Sequence, residues 1–200
     1  MALEHALLVA LSEQPAAGLE LSRRFSRSIG YFWGATHQQI YRVLGRMEAD
    51  GWLRATTVEQ AGRPAKKVYE VADTGREVLA AWLGEPTATP PLRSDLAVKM
   101  RGASFGDRAA VLDVVRADLA EHRARLERYE QLMTRDYPDP TTLSGLELDQ
   151  YLVLRGGVLA EQTSITWLTE YLLCKDEAAT PTPTSTAPTP TCWSRCSSGR

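Results

Sequence analysis

One short stretch carries side chains that recognise other molecules through paired donors and acceptors. In THQQIYRVLGRMEADGWL, Thr36 to Leu53, the residues between the apolar ones include Thr36, His37, Gln38, Gln39, Tyr41, Arg42 and Arg46. A glutamine amide presents a donor and an acceptor side by side and can pair with adenine. An arginine fork can pair with guanine or grip a phosphate. A face that is only solvated more often carries Glu and Lys. The bland alternative is that these groups cap and hydrate the start of a helix. Downstream, EQAGRPAKK places Arg63, Lys66 and Lys67 around a Gly-Pro turn, where they would reach a phosphate backbone or the minor groove.

Other chemistries find no support. A nucleophile elbow, a phosphate loop, an HExxH and paired catalytic carboxylates are all missing from the sequence. Glu127 with Glu130, and Asp136 with Asp139, lie on polar stretches of the kind that surround solvated helices. The expectation is therefore not an enzyme, with no cofactor and no metal. Cys174, Cys192 and Cys196 are an odd set near the C-terminus, too few for a zinc site, and are expected as free thiols. No apolar run reaches the ~18–20 residues of a membrane span. MALEHALLVALSEQ has Glu4 and no basic leader, so a cytoplasmic protein without a signal peptide is expected.

The net charge of the 200-residue chain is only −2. Its distribution is more telling. Between Arg23 and Lys67 nine basic residues (Arg23, Arg24, Arg27, Arg42, Arg46, Arg54, Arg63, Lys66, Lys67) face three acids, Glu48, Asp50 and Glu59. A basic patch on an acidic body is a possible footprint for a polyanion.

Elements that would position these residues follow from periodicity. Leu3, Leu7, Leu8 and Leu11 mark a first helix, stopped by Pro15. Leu19, Leu21, Phe25 and Ile29 mark a second, ended by Gly30, and Tyr31–Trp33 form an aromatic turn that plugs helices two and three. Thr36 is a candidate N-cap. A third helix turns Ile40, Val43, Leu44 and Met47 inward, and Gly51 stands where a helix-ending glycine belongs. WLRATTV and KVYEVA read as the two strands of a hairpin. A fourth helix is expected from a Thr74 cap.

GEPTATPPLRS breaks this pattern. Beyond it come a short helix over about Asp95 to Ala103 and a long one from Asp107 to about Arg135. In the long helix Leu112, Val115, Leu119, His122, Leu126, Tyr129 and Met133 keep a 3,4 spacing, an a/d seam. A second long helix, about Leu143 to Lys175, has a stripe including Leu154, Val158, Ile165, Leu168 and Leu172. These seam residues are expected to bury themselves partly on each other and partly on a second subunit. His122 is expected as a hydrogen-bonded seam histidine, with a pH or metal switch as the rival reading. The Thr/Pro-rich end is too poor in apolar residues to order itself. The domain plan is thus 1–84 for DNA binding, 85–94 as linker, 95–177 for dimerisation and 178–200 as a disordered tail. The fold class is mainly α, an N-terminal winged helix-turn-helix of three helices plus a β-hairpin wing, followed by long C-terminal dimerisation helices.

FWGATHQQIYRVLGRMEADGWL followed by GRPAKKVYEVADTGREVLAAWL resembles the PadR family of bacterial transcriptional regulators. LEHALLVALSEQPAAGLEL is similar to the first two helices of that family. The likeness is strong from Leu3 to Leu83 and continues in helix length and order. The chain departs from relatives at Ala17-Gly18-Leu19-Glu20-Leu21, where they usually have His-Gly-Tyr-Glu-Leu. The resemblance implies a homodimer, usually a repressor, that binds a near-palindromic double-stranded DNA operator and is released by a small molecule. Relatives that take planar aromatic compounds use the dimer interface, and Trp82, Phe105 and Trp167 are the candidates here for a small aromatic effector. The rival class is a winged-helix protein-interaction module without specific DNA binding, which would not need Arg42, Arg63, Lys66 and Lys67 around two glutamines.

Overall fold

The computed structural model describes residues 2–26, 34–60, 63–87 and 93–177. It divides into two compact units, Met1–Pro90 and Pro91–Arg200.

In the first unit, α1 (Ala2–Glu13) leads through a two-residue strand, β1 (Ala16–Ala17), into α2 (Gly18–Ser26). Next come α3 (His37–Ala49), β2 (Leu53–Gln60), β3 (Arg63–Val71) and α4 (Asp73–Leu83). The sheet is antiparallel with order β1-β3-β2. It thus holds three strands rather than the hairpin alone, because Ala16 pairs with Tyr69 and Ala17 with Val68. Leu7, Leu8 and Leu11 of α1, Leu21 and Phe25 of α2, and Ile40, Leu44 and Met47 of α3 are almost fully buried in one core. That apolar stripe fixes α3 and turns its opposite face outward. The Tyr31–Trp33 turn and Ile29 lie outside the described residues.

The α3–β2 junction is tightly made. Gly51 takes φ 74°, a left-handed conformation that suits glycine at a helix end. The Trp52 N–H then donates to Met47 O at 2.8 Å, and Trp52 O accepts from Ala72 N–H at 2.9 Å. Gly75, in the first turn of α4, packs so closely that an added Cβ would fall 2.2 Å from Trp52 O. The fourth helix therefore begins before Thr74: Ala72 is its N-cap without a side-chain bond, and Asp73 pairs with Arg76.

The second unit contains α5 (Asp95–Gly102), α6 (Arg108–Asp136) and α7 (Gly145–Glu177). Ser94 caps α5 and Asp107 caps α6 through their side chains. The two long helices form a hairpin. Val115, Leu119, Tyr129, Val158 and Leu168 are buried, and Met100 of α5 joins Val115, Leu119 and Leu168 in a second core. Gly157 makes room for the Tyr129 ring, since a Cβ there would lie 3.1 Å from Tyr129 Cε2. Tyr171 Oη donates to Met100 O at 3.0 Å, and Arg108 Nη2 to Lys175 O at 2.6 Å, tying the open end. Among the described residues no helix is long and apolar enough to cross a membrane. Cys174 is disulfide-bonded, which corrects the free thiol expected from the sequence. Cys192, Cys196 and the 178–200 tail lie outside the described residues.

Candidate nucleic-acid interface

The outward face of α3 begins at a capping box. The Gln39 N–H donates to Thr36 Oγ1 at 3.2 Å, while Gln39 Oε1 accepts from Thr36 N–H at 2.9 Å and from Thr36 Oγ1 at 3.1 Å. Two of the unsatisfied donors at this helix start are thereby closed by side chains. The Thr36-x-x-Gln39 spacing is the sequence signature of this arrangement. Thr36 is thus the N-cap expected from the sequence, and Gln39, expected to face bases, uses its oxygen in the cap.

His37 is also engaged. Its Nδ1 stands 2.9 Å from Oγ of Ser22, a fully buried residue of α2. The contact holds the ring against α2. Ser22 gave no signal in the sequence, because only the fold brings it near His37. Tyr41 lies with its ring over Gly18, where an added Cβ would fall 2.5 Å from Tyr41 Cε1. The residue is still 46% exposed, so it is packed on one side and open on the other.

Arg46, expected at a phosphate, has a partner within the protein. Its Nη2 pairs with Oε1 of Glu4 on α1, a carboxylate only 8% exposed as a residue. Burial of Glu4 makes that pair a tie between α1 and α3. Gln38 and Arg42, by contrast, are exposed and make no side-chain hydrogen bond or ion pair among the described residues.

The wing splits its two lysines. In β3 alternate residues face opposite sides, and Tyr69 and Val71 turn to the core. Lys67 shares their face and reaches back to Glu48 Oε2 of α3 at 2.7 Å. The Glu48 carboxylate raises the Lys67 pKa above its ordinary value. Lys66 stands opposite Val58 on the other face and has no ion pair among the described residues. The 61–62 tip lies outside the described residues, as does the Arg63 side chain, although Arg63 opens β3 by its backbone.

The basic patch is accordingly thinner than the sequence count. Arg24 closes the end of α1 by donating to Ala10 O and Gln14 O, both at 2.5 Å. Arg54 pairs with Glu70 at 3.2 Å. With Arg46 and Lys67 also paired, the uncommitted cations among the described residues of the patch are Arg23, Arg42 and Lys66. Arg27 lies outside the described residues.

The seam residues of the second unit close on their own hairpin. Leu112, Leu126, Leu154, Ile165 and Leu172 are half-buried there, beside the buried Val115, Leu119, Tyr129, Val158 and Leu168. His122 Nδ1 pairs with Glu161 across the hairpin, and its Nε2 lies 3.5 Å from Asp118. Arg125 Nε stands 2.9 Å from Glu161 Oε1 on the same node. The three effector candidates do not form one group. Trp82 stacks on His5 at 4.4 Å inside the first unit. Phe105 and Trp167 belong to the second unit, 94% and 45% exposed. Trp167 lines an open groove of about 370 Å³ with Leu159, Gln162, Thr163, Thr166 and Glu170.

Residues 7–81 match the family model described as the transcriptional regulator PadR-like family, and residues 92–173 match the model described as virulence activator alpha C-term. A probable transcriptional regulator of Mycobacterium tuberculosis is 53% identical over 180 residues, spanning 85% of this chain and 95% of that protein. The negative transcriptional regulator PadR of Bacillus subtilis is 27% identical over 180 residues, spanning 88% of this chain and 98% of its own length. That protein in complex with operator DNA superposes with a TM-score of 0.76 at 25% identity, covering 86% of this chain and 98% of the other. The Vibrio cholerae virulence activator AphA superposes with a TM-score of 0.75 at 30% identity, covering 88% and 99% of the two chains.

Proposed function

The chain belongs to the PadR-like family of transcriptional regulators, and from that premise we propose that it is a homodimeric repressor that binds a near-palindromic duplex operator through α3 and the wing. The observation that carries this reading is the state of Gln38 and Arg42. Both stand exposed and unengaged on the face of α3 opposite its buried stripe. A side chain held for a structural purpose would have a partner in the protein, whereas these two have their hydrogen-bonding groups free for base edges. Lys66, on the outer face of the wing, is the matching uncommitted cation for the phosphate backbone. The similar Bacillus subtilis PadR is known in complex with operator DNA, which supports a duplex as the partner. For the sign of regulation we follow the negative transcriptional regulator PadR; the virulence activator AphA spans both units equally, and a reporter behind the bound promoter, silenced by the protein, is the outcome that supports repression. The reading places the protein in the cytoplasm, where operators are, and gives it no enzymatic step.

A second copy of the chain would cover α7. The 154–172 stripe is used inside the hairpin, but α7 has another. Leu152, Leu159, Thr166 and Leu173 recur every seven residues and are all exposed, with Trp167 beside them. A stripe with this period on a 33-residue helix suits a partner helix of the same kind. In a two-fold dimer the α3 helices would then address half-sites about 34–36 Å apart. The groove at Trp167 lies on this stripe, which makes it the place for a small planar aromatic effector to act on the dimer. The deciding experiment is a mobility-shift assay with the duplex upstream of the protein's own coding region. Retardation at low salt, weakened by Arg42→Ala, is expected. If no duplex is retarded, the DNA-binding reading fails.

A further inference from the structure

We propose that Gln38 and Arg42 are a base-reading pair on α3, and that Gln39 is a positioning residue that shapes the helix start without touching a base. The inference rests on the DNA-binding reading above and assigns specificity within that same site.

The two adjacent glutamines look equivalent in sequence, and the fold makes them different. Pairing with adenine requires one amide to accept and donate at once, so its oxygen must be free. The oxygen of Gln39 accepts from both the backbone N–H and the hydroxyl of Thr36. Thr36 N–H is only a donor, which fixes Oε1 as the atom facing it. Turning Gln39 toward a base would open the capping box and leave two helix-start donors unmet. His37 is held by Ser22 through Nδ1, so it too is oriented by the protein. Gln38 has none of these ties.

Helical geometry gives Gln38 a partner. Gln38, Arg42, Gly45 and Ala49 follow one another at i, i+4, i+7 and i+11, all exposed, and lie opposite Ile40, Val43, Leu44 and Met47. An added Cβ at Gly45 would meet nothing within 4 Å. Beyond Arg42 the line therefore carries no long side chain to hold a duplex away, and Gln38 and Arg42 stand highest on it. Four residues of helix rise about 6 Å. Base pairs stack about 3.4 Å apart. The two side chains then address base pairs within two steps of each other, an A·T pair for the glutamine and a G·C pair for the arginine.

The test is selection from a random duplex pool with the full chain, followed by affinities for single-position variants of the selected site. Wild type should show an A·T and a G·C preference within two steps in each half-site. Gln38→Ala should erase the A·T preference, a loss of roughly tenfold discrimination at that position. Arg42→Ala should erase the G·C preference. Gln39→Glu keeps a capping-box residue but replaces the amide NH2 by a carboxylate oxygen. It should leave the base preference at every position unchanged while weakening all duplexes alike by charge repulsion. A changed preference with Gln39→Glu, or an unchanged one with Gln38→Ala, overturns the assignment. Circular dichroism of each variant shows whether the fold is intact. Failure of the wild-type chain to select any sequence would instead refute the DNA-binding reading itself.

Discussion

Arg46→Ala separates two roles that one side chain could hold. In the structure Arg46 pairs with Glu4, whose side chain is 10% exposed, while its own side chain is 54% exposed. At contact distance in an effective dielectric near 20 such a pair attracts by about 4 kcal/mol. Water reaches half of Arg46, so most of that attraction is screened. What remains is the cost of leaving the Glu4 carboxylate buried without its partner, about 1–2 kcal/mol within the range for an unmet buried acceptor. Arg46→Ala should therefore lower the denaturant midpoint without changing the slope. In a Glu4→Gln background the carboxylate charge is gone, and the same substitution should cost less than about 0.5 kcal/mol. DNA affinity should keep its salt dependence, because no phosphate contact is lost. The reasoning is refuted if Arg46→Ala leaves stability unchanged and instead reduces the salt slope of DNA binding by about one, which marks a phosphate contact.

Three further outcomes are expected. Lys67 has a raised pKa in the folded protein because of Glu48, so the folded state holds that proton more tightly. The stabilisation is full below the ordinary lysine value of 10.5 and is lost as pH rises through the higher folded value. Denaturant midpoints of wild type and Glu48→Gln should thus differ at neutral pH and converge under strongly alkaline conditions; a constant gap would refute the wing tie. Gly75→Ala should destabilise by about 1–3 kcal/mol, because its Cβ would press on a backbone oxygen that cannot move aside. A thermal midpoint equal to that of wild type would contradict this. Leu159→Glu places a charge in the exposed α7 stripe and should yield a monomer in light scattering with the helix content retained, and a persistent dimer would move the interface elsewhere.

The parts of the fold that repeat were legible in the sequence. The inward stripe of α3 and the 3,4 spacing of α6 follow directly from helical period, because each position depends on near neighbours in the chain. The period does not name the partner. Val115 and Leu168 could have faced a second subunit as easily as each other, and only the hairpin decides. The strand at Ala16–Ala17 had no signal, since two alanines carry no β-propensity and pair only because β3 lies beside them. The candidate site shows the same division between what neighbours in the chain decide and what the fold decides. Thr36 and Gln39 could have been read as a capping box from their spacing alone. Arg46 could not have been assigned, because Glu4 lies 42 positions away in the chain. The contact between Ser22 and His37 likewise depends on how α2 packs on α3.

The Trp52 peptide unit has a mechanical consequence. Its N–H is bonded to the end of α3 and its carbonyl to the residue before α4, with Gly75 pressed on that oxygen. Three elements are thus riveted at one point: the helix that carries Gln38 and Arg42, the first strand of the wing, and the helix through which the chain leaves the unit. A joint with both polar groups bonded and a backbone atom against it has no free hinge. α3 and the base of the wing are held together at this joint, so a torque applied along α4 turns both instead of opening one against the other.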